Sequence, residues 1–96
     1  MIELVVPDAL ADHAQLDDDR LSGTRELVGR HVFSVDGPLD DALALAEALS
    51  AESGGAPVLV NDVAEQTGDT RIVDVYMHQG GRRMSVSEGV ERPLPD

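Results

Sequence analysis

The chain has no lysine, no cysteine and no tryptophan, and only two aromatic residues, Phe33 and Tyr76, in 96 positions. Each absence closes a route. Without cysteine there is no disulfide, no thiolate metal ligand and no cysteine nucleophile. Without lysine there is no Gly-x-x-x-x-Gly-Lys phosphate cradle, and the glycine pairs Gly54-Gly55 and Gly80-Gly81 read as cap and turn residues instead. No Gly-x-Ser-x-Gly elbow occurs, and no serine stands beside a histidine in a way that marks a triad. No cofactor and no catalytic residue is assigned.

Positive charge is equally scarce. Seven arginines against nineteen Asp and Glu leave a formal net charge of −12. A small domain this acidic repels phosphate backbones and anionic bilayers and favours encounter with basic surfaces. Nucleic acid and membrane are therefore excluded as partners, and a protein partner, basic in character, is expected. Arginine without lysine is also what G+C-rich bacterial coding produces, so the acidity has a compositional source to set beside a selected one. The opening stretch, Met1 to Pro7, has no basic run and no long apolar one. Neither a signal peptide nor a membrane span is read, and the expected location is cytoplasmic.

What remains is a lean core of Val, Leu, Ala, Ile and Met, with 42% hydrophobic residues overall. One compact domain over residues 1–90 and a flexible tail over 91–96 are expected. A core this lean makes self-association through an exposed sheet face plausible.

Hydrophobic periodicity orders the chain. Ile2, Leu4 and Val6 alternate as on a strand that Pro7 ends. Residues 8–14 suit the start of a short helix, Asp17-Asp18-Asp19 breaks the pattern, and Ser22-Gly23 reads as a turn. A strand covers at least residues 31–35 and extends back as far as 25. The helix from Pro38 to Ser53 is the clearest element. Its Asp40 and Asp41 suit the N-terminal dipole, its Leu and Ala residues form one stripe, and Gly54-Gly55 stops it. Val58-Leu59-Val60 reads as a strand buried on both faces, Ala64–Asp69 as a loop, and 71–78 as the next strand.

The end of the chain reads as a hairpin over residues 71–88 about a Gly80-Gly81 turn. Continuous pairing would oppose Met77 to Met84 and Val75 to Val86 on an inward face. Asp74, Tyr76, His78, Arg83, Ser85 and Ser87 would then share an outward one. The fold class is α+β: a mostly antiparallel sheet of about four to five strands with the 38–53 helix on one face.

Two surfaces are candidates for function. The outward hairpin face (Asp74, Tyr76, His78, Arg83, Ser85) combines polar and titratable groups. The acidic first third, led by Asp17, Asp18 and Asp19, offers charge for steering a basic partner. Asp8, Asp12 and His13 add donors there, but the spacing is not that of an EF-hand and no metal site is assigned. His31 reads as a core-edge residue. The expected function is a non-enzymatic accessory, regulatory or inhibitor-like module that acts by protein–protein contact and self-associates. The alternative is a small enzyme or enzyme subunit with an acid/base site at Asp74, Tyr76 and His78, completed by another chain.

Overall fold

A computed structural model describes residues 1–93 of the chain. Among the described residues there are six strands and one α-helix. The strands are β1 (Ile2–Pro7), β2 (Leu21–Leu27), β3 (Arg30–Val35), β4 (Val58–Thr67), β5 (Thr70–Gln79) and β6 (Arg82–Pro93). The helix α1 (Leu39–Glu52) lies between β3 and β4, and two short 3₁₀ turns, Asp8–Leu10 and Ala14–Leu16, follow β1. The sheet order is β2-β3-β1-β4-β5-β6, and every neighbouring pair is antiparallel. This is an α+β architecture with six strands where four to five were expected.

The topology explains where the helix lies. β3 and β4 flank β1, and each runs antiparallel to it, so they are parallel to one another. A parallel connection needs a crossover, and α1 supplies it by carrying the chain over β1. The helix starts after Pro38, with Asp40 and Asp41 in its first turn, and ends just before Gly54, which has φ of 65°. Both features are as the sequence reads. Its buried face (Ala42, Leu43, Ala46, Leu49) packs on Leu4, Val6, Phe33, Val58 and Val60 of the sheet, and Leu10 and Leu16 close the side.

Three expected boundaries move. The Ser22-Gly23 turn is instead strand, part of β2 with a bulge between Ser22 and Arg25. The reversal comes at Val28-Gly29, where Gly29 takes a φ of 76° that L side chains avoid. The Ala64–Asp69 loop is mostly β4, which bulges between Val63 and Glu65 and continues to Thr67. β6 pairs as far as Thr70 with Pro93, so residues 91–93 are strand and not tail. The rest of the expected tail, residues 94–96, lies outside the described residues.

The hairpin needs the largest correction. Gly80 and Gly81 form its turn, both with positive φ, and Gln79–Arg82 and His78–Arg83 pair as expected. Beyond that a bulge at Met84 adds one residue to β6. Met77 then opposes Ser85, Tyr76 opposes Val86 and Val75 opposes Ser87. One inserted residue exchanges the two faces of β6 from Ser85 until a second bulge, between Ser87 and Val90, restores them.

The orientation of β5 is also opposite to expectation. Val58 and Val60 belong to the helix-facing core, and their partners across the ladder are His78 and Tyr76. Those two side chains therefore face the helix layer. Val73, Val75 and Met77, by alternation, lie on the other face of the sheet.

Candidate functional site

The face of the sheet opposite α1 mixes apolar and charged residues and is partly buried. Val5, Val32 and Val73 on this face are buried, although α1 lies on the other side. The cause is curvature. A depression of about 280 Å³ on this face is lined by residues of all six strands, from Arg25 and Leu27 of β2 to Arg92 of β6. The two edge strands can share one depression only if the sheet curls toward that side, and the bulges in β2, β4 and β6 favour such bending. The result is a trough with an apolar floor: Val5, Val32, Leu59, Val73 and Val75.

Charge is sorted onto this trough. Arg25, Arg30, Arg71 and Arg92 line it, four of the seven arginines in the chain. Among the described residues Glu3 is the one acid in the lining. The trough thus carries a formal surplus of three positive charges inside a molecule of net charge −12.

Each arginine arrives there by strand periodicity. Arg71 shares a face with Val73 and Val75 on β5, Arg25 with Leu27 on β2, and Arg30 with Val32 on β3. Arg71 and Arg92 are direct cross-strand partners. Like charges set opposite one another on a sheet face destabilise the pair unless something between them neutralises the charge.

Glu3 does part of that work. It is 3% exposed, and its Oε1 accepts a hydrogen bond from Nη1 of Arg71 at 3.1 Å, while Oε2 lies 3.4 Å from Nη2 of Arg25. Arg71 itself is 5% exposed. One carboxylate shared by two guanidinium groups leaves donors over. The Nε–H groups of Arg25 and Arg71 are buried without a hydrogen-bond partner. A buried donor without a partner costs on the order of 1–3 kcal/mol, a cost that an anionic ligand would remove.

The residues singled out from the sequence are placed differently. His78 is 1% exposed beneath α1, and burial lowers its pKa, which keeps the imidazole neutral. Tyr76 is half-buried against the core with the Arg83 guanidinium 5.8 Å from its ring centre. Burial, reinforced by Asp74 and Asp62, pushes the phenol pKa up, so it stays protonated. Asp74 accepts a hydrogen bond from the Gly89 N–H at 2.9 Å and stabilises a second bulge in β6. Asp74, Tyr76, His78 and Arg83 do share a face, but it is the helix-side face, and the Met84 bulge turns Ser85 to the other.

In the acidic first third, Asp17 and Asp19 are exposed, while Asp18 is bound by Arg20. Hydrogen bonds from the Arg20 side chain and backbone hold the Asp18 carboxyl down to about 2. Arg20 also reaches Asp41 at 3.1 Å, which ties this segment to the start of α1. His13 accepts from the Gln15 N–H, and His31 lies 2.9 Å from Asp8. Among the described residues no three His, Asp or Glu side chains gather as a metal site.

Sequence reasoning passed over Glu3, Arg25, Arg30, Arg71 and Arg92. The available signal was arginine at alternate positions with valine or leucine on three separate strands. No helix among the described residues is long and apolar enough to cross a membrane. Comparison with known proteins found no matching family model, no matching curated protein and no matching solved structure.

Proposed function

We propose that this protein is a small cytoplasmic, non-enzymatic recognition module that acts by contact with a partner protein, with the arginine-lined trough as its contact surface. The observation that carries this reading is the sorting of charge: an acidic chain gathers four arginines and one buried glutamate around an apolar hollow. Electrostatic complementarity then selects a partner that presents an acidic group flanked by apolar ones. Two copies of this face set against each other would oppose positive to positive. The same sorting therefore favours an unlike partner over a second copy. The burial of His78 beneath α1 speaks against the acid/base alternative.

The test compares captured proteins between the native chain and two variants of equal circular dichroism. Arg30→Ala with Arg92→Ala should lose a captured partner, and Asp17→Asn with Asp19→Asn should retain it. The reverse pattern, or retention by both, would remove the trough from the reading.

A further inference from the structure

The interior of the trough has features that a protein contact alone does not require. Its volume lies just below the range of pockets that enclose small molecules, and apolar floor with a few convergent polar groups is how such pockets are built. Arg71 is nearly wholly buried, yet its Nε–H has no partner, and Arg92 is held directly across from it. Glu3 shows the same chemistry on the other side of Arg71, where one carboxylate spans Arg71 and Arg25.

Building on the trough as the working surface, we propose that it binds a small free monocarboxylate with an apolar tail. The carboxylate lies against Arg71 and Arg92, and the tail runs along Leu59 and Val75. Charge-assisted bonds from paired guanidinium groups hold the head, and burial of the tail supplies the rest.

Glu3 sets the charge of the ligand. With its carboxylate held by Arg71 and Arg25, it leaves enough positive charge for a monoanion, whereas a phosphate dianion costs far more to desolvate over the apolar floor and is repelled more strongly by the acidic exterior. An alkyl alcohol lacks the head group, and an alkylammonium carries the wrong sign.

The experiment is an NMR titration of the full chain, read at backbone amides, with octanoate, octyl phosphate, octanol and octylammonium. Octanoate should give saturable shifts centred on Val5, Leu59 and Val75, at least about tenfold tighter than octanol. Octyl phosphate should bind more weakly than octanoate, and octylammonium not at all. Arg92→Ala should weaken octanoate at least about tenfold, as expected for loss of one charged hydrogen-bond donor. Glu3→Gln should narrow or reverse the preference for octanoate over octyl phosphate.

Equal affinity for octanol, shifts centred elsewhere, or no saturable shift would overturn the proposal. The two readings fail separately. Rim variants that lose the partner protein while octanoate leaves the spectrum unchanged reject the ligand alone. Octanoate binding in the trough with partner capture untouched by the rim variants rejects the protein contact alone.

Discussion

At the scale of single residues, the most consequential pairing joins Glu3 to Arg71, 68 positions apart in the chain. A buried charge without its partner is far more costly than the pair is favourable. Arg71→Ala leaves the Glu3 carboxylate with Arg25 alone, at 3.4 Å, and should lower unfolding free energy by up to about 3–5 kcal/mol in urea titration. Glu3→Leu with Arg71→Met should recover most of that loss, because an apolar pair of similar volume carries no desolvation penalty. Equal destabilisation by the single and double variants would mean that packing dominates and charge does not.

His78 predicts a pH dependence. Burial lowers its pKa in the folded chain, while the unfolded chain titrates near 6.5. Above 6.5 both states are neutral and the full stability is present. As pH falls below that, the unfolded state takes up a proton that the folded state resists, and stability declines by at most about 1.4 kcal/mol per pH unit. His78→Gln, compared with the native chain by urea titration at pH 7 and pH 5, should show a smaller loss on acidification. An unchanged loss would mean that His78 does not carry it.

Neither residue declares its role in the sequence. Glu3 lies between Ile2 and Leu4 and, by alternation, falls on the opposite face of that strand from its apolar residues. Its burial follows from β1 becoming a central strand, which depends on pairing with β3 and β4 from later in the chain. His78 reads as outward because nothing local says which face of β5 meets the helix; the partners Val58 and Val60 decide that.

At the scale of elements, legibility follows how local the determinants are. The helix could be read from its own stripe and its terminal Pro38 and Gly54. The β5–β6 turn could be read from Gly80-Gly81, and its first two pairs came out as expected. The register beyond them could not, since a bulge at Met84 depends on contacts across the hairpin and not on local sequence. β2 was hidden for a similar reason: Ser22-Gly23 has turn chemistry, yet it falls on a strand that tolerates a bulge.

Gly81 tests how tightly that turn is fixed to the helix. Its N–H donates to Ser50 Oγ at 3.0 Å, its φ is 81°, and an added Cβ would lie 3.3 Å from the Ala51 Cβ. Gly68 also has positive φ, 58°, but open space around it. Both glycine-to-alanine changes incur left-handed strain of about 1 kcal/mol. Gly81→Ala should cost more than Gly68→Ala by the crowding against α1, and chemical denaturation of the two variants measures the difference. Equal costs would mean that the turn shifts freely away from the helix.

At the scale of the whole molecule, two charge effects of opposite sign coexist. The exterior carries the acidic surplus and repels itself, which destabilises the compact state. The trough gathers positive charge for an anionic partner. Added salt screens both, with a Debye length of about 10 Å at 0.1 M falling to about 3 Å at 1 M. Raising sodium chloride from 0.05 to 0.5 M should thus raise the Tm of the free protein, through relief of self-repulsion, while weakening anion binding in the trough. Thermal scans with and without a bound anion measure both: the free-protein Tm rises, and the increment due to the anion shrinks. The buried Glu3–Arg71 pair is shielded from solvent ions and contributes little to either slope. If salt lowered the Tm of the free chain, attraction between the arginines and the acidic exterior would outweigh repulsion among the acids, and the sorting of charge would then serve the fold before it serves a partner.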